Sequence, residues 1–251
     1  QATGAVVMQP TRTVVITGAS RGLGAGVAAR MLSQGIHLGL CARSECALAA
    51  GERVLTAAVD VRDERAVFDF AEAVVARFGQ IDVWINNAGV LEPIAFARDL
   101  SADALREHFD VNVVGVLHGS KAFAAHVRGR AGAGVLINIS SGAALKGYAG
   151  WTAYSAGKAA VDRLTECVQH EEASHGLRAY SVAPGVIDTG MQELIRSQTE
   201  EQFPLVEKFK QLKRDEAFNS PLFVADQLLD IAFGTASPDA VVVRLTNEPK
   251  R

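Results

Sequence analysis

Tyr154 and Lys158 stand four residues apart, and the stretch Ser155 to Glu172 carries apolar Ala159, Val161, Leu164 and Val168 at helical spacing. Four residues make about one helical turn, so the phenol and the ammonium share a face. A free phenol has a pKa of about 10, too high for easy exchange near neutrality. A neighbouring ammonium favours phenolate and pulls that value down. A phenol so tuned can give a proton to a carbonyl oxygen while the carbon is reduced, or take one back in reverse. Ser141 follows the apolar run Val135-Leu136-Ile137-Asn138-Ile139. It is expected at a strand end, where open α/β sheets gather their reactive groups. Its hydroxyl could hydrogen-bond the same oxygen.

A second group of residues could hold an anion. The β-branched run Arg12 to Ile16 reads as a buried strand, and Thr17-Gly18-Ala19-Ser20-Arg21-Gly22-Leu23-Gly24 follows it. Ala25 to Ser33 then reads as an amphipathic helix. Strand, glycine turn and helix in this order form the first unit of a dinucleotide-binding fold. One glycine permits the tight turn, another lets the backbone approach a pyrophosphate, and a third lets helix and strand pack closely. The helix N-terminus offers free N–H groups to the phosphates.

Arg43 follows the expected second strand, Ile36 to Ala42, and no acid stands at 41, 42 or 43. An acid there would take the ribose 2′-hydroxyl of NAD, whereas an arginine accommodates the 2′-phosphate of NADP. Arg21 supplies a second cation inside the turn. Together they predict NADP(H).

Strands are expected near 12–17, 36–42, 54–59, 82–86, 135–140, 178–183 and 240–245. Helices are expected near 22–34, 64–78, 101–128, 153–174 and 221–233. The stretch 43–53 is short enough for its helix to shrink to a turn. Ser220-Pro221 reads as a cap and a first-turn proline. The alternation predicts the α/β class: a single-domain doubly wound Rossmann fold over 11–246, with about seven mostly parallel strands and helices on both faces. Residues 1–10 are expected to form an N-terminal extension, with Met8 the native start. The more polar segment 190–219 departs from the alternation. The spacing of Met191, Leu194 and Ile195 there suits a short helix over a pocket.

At this point the chain resembles the short-chain dehydrogenases/reductases, over roughly Arg12 to Met191. The likeness rests on the glycine turn, Asp60 after the third strand, Asn86-Asn87-Ala88-Gly89, Asn112, Ser141, Tyr154 with Lys158, and Pro184-Gly185 with Thr189. The resemblance implies Tyr154 as general acid/base and Lys158 as the group that tunes it and holds the nicotinamide ribose. It implies that Ser141 orients the carbonyl and that Asn112 anchors a water relaying protons to Lys158. Ser140 competes with Ser141, and the thirteen-residue interval to the tyrosine favours Ser141. The implied cofactor contacts are Gly18, Ser20, Arg21, Gly22, Leu23, Gly24, Arg43, Asp60, Val61, Asn87, Ala88 and Gly89. Further along they include Tyr154, Lys158, Pro184, Gly185, Val186, Thr189 and Met191, with Thr189 on the carboxamide. The segment 190–219 would be a substrate lid, and a homodimer or homotetramer is the usual assembly.

Leu145, Tyr148 and Trp151 lie between Ser141 and Tyr154 and predict an apolar, aromatic lining suited to a bulky ketone. Trp84 reads as plain core. The run Ala183 to Gln192 is similar to that of sepiapterin reductases and related benzil (diketone) reductases. Sepiapterin reductases carry an acid in the last strand region, where this chain reads Val241-Val242-Val243-Arg244-Leu245-Thr246. The missing acid favours a diketone or aromatic ketone over a pterin. The alternatives are an NAD-dependent alcohol dehydrogenase, a sugar epimerase or dehydratase, and a non-catalytic NADP(H) sensor.

Composition excludes several other classes. With 25 Lys and Arg against 28 Asp and Glu the net charge is −3, and no basic run offers a nucleic-acid footprint. No apolar stretch reaches the roughly 20 residues of a membrane span, and Gln1 to Gln9 lacks the pattern of a signal peptide. Cys41, Cys46 and Cys167 lack metal-ligand spacing and predict reduced thiols in a cytoplasmic protein. No metal site is expected.

Overall fold

Every neighbouring pair in the seven-stranded sheet runs parallel. The computed structural model describes residues 12–130, 132–235 and 238–249. The expected extension, 1–10, lies outside the described residues. The strands are β1 (Thr13–Thr17), β2 (His37–Ala42), β3 (Val54–Ala58), β4 (Val83–Asn86), β5 (Gly134–Ile139), β6 (Leu177–Ala183) and β7 (Val242–Arg244). Their order is β3-β2-β1-β4-β5-β6-β7. The direction of winding therefore reverses between β1 and β4. Loops leaving those two strands part to opposite faces there and open the crevice where such sheets bind ligands.

Both faces of the sheet are covered, which explains why its central strands read as unbroken apolar runs rather than alternating ones. Val14 and Ile16 of β1 pack on one side with α1 (Gly22–Ser33) and α8 (Pro221–Phe233). Val15, between them, packs on the other side with Phe70 of α2 (Glu64–Phe78) and Phe123 of α4 (Gly115–Arg128). Trp84 belongs to this second layer, fully buried, with its Nε1 donating to Asn86 Oδ1 at 2.8 Å. It is core, as its place beside the fourth strand predicts.

The expected helix over 101–128 is interrupted. It divides into α3 (Ala102–Phe109), a π-helical turn (Asp110–Val114) and α4, with Gly115 N–H donating to the Asp110 carbonyl five residues back. Such bulges sit mostly at functional sites, and this one carries Asn112. The 43–53 stretch contains no helix, as expected from its length. Ser220 caps α8 by accepting from Phe223 N–H at 3.1 Å. The polar 190–219 segment holds α6 (Gly190–Arg196) and a helix that periodicity did not reveal, α7 (Val206–Arg214). Between β5 and β6 runs α5 (Thr152–Glu172), the helix of Tyr154 and Lys158.

Candidate active site

The glycine turn is built by close approach. Gly18 has φ +69°, and a Cβ there would lie 2.7 Å from Ala88 Cα. Gly24 would place a Cβ 2.5 Å from the Gly18 carbonyl oxygen. The turn is clamped to the loop after β4. Thr17 Oγ1 accepts from the N–H groups of Asn87 and Ala88, each at 3.1 Å. Asn87 Nδ2 donates to the carbonyls of Thr17 and Gly18 at 2.9 and 3.1 Å. Thr189 reaches the turn from the loop after β6, its methyl 3.3 Å from where a Cβ on Gly22 would stand.

The start of α1 fits an anion. Asp63, Ser101 and Ser220 cap α2, α3 and α8 with side-chain oxygens. At α1 the capping position is Arg21, no side chain caps the helix, and its first turn holds no acid. The N–H groups of Gly22, Leu23 and Gly24 are thus left for an outside acceptor, beside a cation. A pyrophosphate matches that donor set. Arg21 and Arg43 are exposed, and neither is in an ion pair among the described residues. Asp60 is held by Arg62 at 2.9 and 3.0 Å, which keeps its carboxyl below the usual range; the charge of Arg43 adds to this. Val61 is buried, and its carbonyl meets His118 Nδ1 at 2.9 Å.

Ser141 and Tyr154 come together, and the two adjacent serines separate. The Ser141 hydroxyl stands close enough to the Tyr154 phenol to favour its ionised form, and it accepts from Ala143 N–H at 3.1 Å. Ser140 turns the other way and donates to Asp162 Oδ1 at 2.5 Å. The phenol itself departs from the expectation of a tyrosine tuned by its ammonium alone. Burial pushes its pKa above the ordinary value, and the opposing pull comes from Ser141. Lys158 Nζ lies 5.7 Å from the Tyr154 ring centre and donates to the Ile139 carbonyl at 2.8 Å. Burial lowers the Lys158 pKa to about 8 against a partial lift from Asp162.

Asn112 is fully buried in the π-helical turn. Its Oδ1 accepts from Val90 N–H at 2.9 Å, and its Nδ2 donates to the Val90 carbonyl at 2.7 Å. A Cβ on Gly89 would stand 2.8 Å from Asn112 Oδ1 and 3.8 Å from Lys158 Nζ, so the three meet at one point. His108, which sequence reading missed, joins them. Its Nε2 lies 2.7 Å from Asn112 Nδ2 and its Nδ1 2.6 Å from the Glu92 carbonyl. The second contact makes Nδ1 the protonated nitrogen, and burial lowers the histidine's pKa. Asp162 was missed too; it accepts from Ser140 and Ser181 at 2.5 and 2.6 Å. Both carried a signal: His108 precedes Asn112 by four residues, and Asp162 follows Lys158 by four.

The loop after β6 is laced by Asn219, also missed, whose Nδ2 donates to the Pro184 carbonyl at 2.9 Å and whose N–H donates to the Val186 carbonyl at 2.8 Å. Gly185 is exposed there, and Met191 packs with Ile195 and Phe209 in a third apolar cluster above the sheet. Trp151, expected in the substrate lining, is instead buried in this cluster, stacked on Phe203 with centroids 4.7 Å apart. It ties the catalytic loop to the 190–219 segment. The open cavity of about 450 Å³ next to Ser141 is lined by Gly142, Leu145 and Tyr148, among others.

Among the described residues no helix is long and apolar enough to cross a membrane, and no His, Cys, Asp or Glu cluster could hold a metal.

The chain belongs to the short chain dehydrogenase family, whose model matches residues 12–200. It is 32% identical to the benzil reductase ((S)-benzoin forming) of Bacillus subtilis (strain 168), over 86% of this chain and 91% of that protein. Among solved structures it is similar to the KRED1-Pglu enzyme, at 30% identity and a TM-score of 0.80, covering 93% of this chain and 100% of that one. A short chain dehydrogenase from Burkholderia cenocepacia J2315, solved in complex with NADP, is 28% identical with a TM-score of 0.75, covering 95% of this chain and 90% of that one. The fold and family together define an oxidoreductase that interconverts carbonyl and alcohol groups.

Proposed function

We propose that this protein reduces a bulky or aromatic ketone or diketone with NADPH. The observation that carries the reading is the meeting of Ser141 with the buried Tyr154 phenol at the C-terminal end of the sheet, next to a cavity that Leu145 and Tyr148 help to line. The benzil reductase relative supports the substrate class.

The first turn of α1, with Gly22, Leu23 and Gly24, would hold the pyrophosphate of the dinucleotide, and Arg21 and Arg43 its 2′-phosphate. Asn87 to Gly89, Thr189 and Lys158 would line the nicotinamide end. When bound, the nicotinamide supplies the hydride that the carbonyl carbon receives.

The protein's own part is the proton. Ser141 donates a hydrogen bond to the substrate oxygen and holds it against the phenol. Tyr154 gives that oxygen its proton as negative charge develops there. Phenolate then remains in a dry site, where the Lys158 ammonium stabilises it far better than it would in water. Asn112, fixed by Val90 and His108, lies close enough to Lys158 to anchor the water that returns a proton. Burial suits Tyr154 to reduction, because a phenol with a raised pKa stays protonated until the substrate takes its proton.

The test is NADPH consumption against benzil, other diketones, aromatic ketones and sepiapterin, with NADH in parallel. Turnover of a diketone with NADPH alone is the expected result. Turnover only in the alcohol-oxidising direction with NAD would overturn the reading.

A further inference from the structure

The cavity beside Ser141 has both apolar and cationic side chains in its lining. Leu145, 57% exposed, and Tyr148 supply the apolar part. Lys146 comes from the same loop, and Arg244, Leu245 and Asn247 come from the end of β7. Among the described residues, no Asp or Glu lines the cavity. Neither Lys146 nor Arg244 is in an ion pair among the described residues. Glu248, four residues after Arg244, accepts from Ser220 N–H at 2.6 Å.

Lys146 and Arg244 both line this cavity, and neither has a carboxylate partner among the described residues. Low-dielectric walls such as Leu145 and Tyr148 also focus a field of one sign into the cleft. The cavity reaches the residue next to Ser141. Gly142 follows Ser141 directly, and Tyr148 meets Trp151 at 5.4 Å, which meets Tyr154 at 5.5 Å. The Lys146 ammonium stands 5.3 Å over the Tyr148 ring.

Resting on the carbonyl-reductase reading, we propose that Lys146 and Arg244 bind an anionic group of the substrate, a carboxylate or its like, at the end remote from the carbonyl. The substrate class is then an aromatic or branched ketone bearing an acid. Leu145 and Tyr148 take its apolar body, and the arginine fork and lysine ammonium take its charge. The benzil-type relatives act on a neutral diketone, and the cationic wall is what would set this chain apart from them.

Calorimetry in the presence of NADP+, which permits binding without reduction, tests this with 4-carboxybenzil and its methyl ester. The acid is expected to bind about tenfold more tightly, equivalent to about 1.4 kcal/mol. The combined Lys146→Gln and Arg244→Gln variant should lose that difference and keep the affinity for the ester, and Arg244→Lys should retain part of it. In the unaltered protein, raising the ionic strength from about 0.05 to about 0.5 M should weaken the acid and spare the ester. Equal affinities, no binding of either compound, or a preference that survives both substitutions would overturn the proposal. Turnover with NADPH is read separately. An acid bound in preference but never reduced leaves the cationic site standing and removes the diketone-reductase reading.

Discussion

Trp151 stacks on Phe203 with ring centroids 4.7 Å apart and planes 14° apart, joining the loop that ends at Tyr154 to the 190–219 segment. Phe209 meets the indole at 5.3 Å and Phe203 at 5.6 Å, closing a three-ring cluster. The segment expected to act as a lid is therefore anchored through an aromatic cluster one turn from the phenol.

Truncating that anchor should loosen both ends. Trp151→Ala removes a nearly fully buried indole and is expected to cost about 3 kcal/mol or more. Denaturant unfolding measures the loss, and hydrogen exchange should show it concentrated over α6 and α7. Protection confined to its original pattern would mean that the lid is held by other contacts.

Tyr154→Phe keeps the ring and its edge contact with Trp151 while removing the proton. Turnover is expected to fall at least about a hundredfold. Ser141→Ala, which removes one donor to the developing oxyanion, should cost about a hundredfold as well. Dinucleotide affinity, followed by fluorescence, should stay within about threefold in both variants, because neither side chain contributes to the glycine turn.

Reduction should weaken as the pH rises through about 8, where Lys158 loses its charge. The kcat/KM profile locates that limb. Asp162 lifts the lysine's pKa, so Asp162→Asn should move the limb to lower pH. An unmoved limb would assign it to another group.

The same lysine should weaken the fold. Its pKa falls from an ordinary value of about 10.4 in the unfolded chain to about 8 in the folded one. Between those values the unfolded state binds the extra proton, so this group's contribution to stability rises with pH in that window. Below about 8 the full penalty is present. Lys158→Met should therefore raise the denaturant midpoint at neutral pH while abolishing turnover, and the gain should shrink toward pH 10.

Arg43→Asp exchanges the cation expected at the 2′-phosphate for a group suited to a free ribose hydroxyl. The KM for NADPH should rise about tenfold or more while that for NADH falls. Equal effects on both cofactors would place Arg43 away from the adenosine.

Local pattern and spacing determined a great deal in this chain. Continuous apolar runs such as Val135 to Ile139 identified strands buried on both faces, and the glycines at 18, 22 and 24 identified a turn only close backbone approach requires. Four-residue spacing placed Tyr154 and Lys158 on one helical face. These are properties of a few consecutive residues, so the sequence carries them openly. Tertiary structure decided the rest, because it depends on which distant segments meet. That Ser141 faces Tyr154 while Ser140 faces Asp162 follows from the side of β5 each residue leaves. The interruption of the 101–128 helix follows from Val90, twenty-two residues before Asn112, bonding both ends of its amide. The burial of Trp151 required Phe203 and Phe209 to arrive from a segment too polar to announce a packed role. The balance of the phenol's pKa between burial and Ser141, and the meeting of Lys146 and Arg244 in the lining of one cavity, are likewise consequences of distance in space.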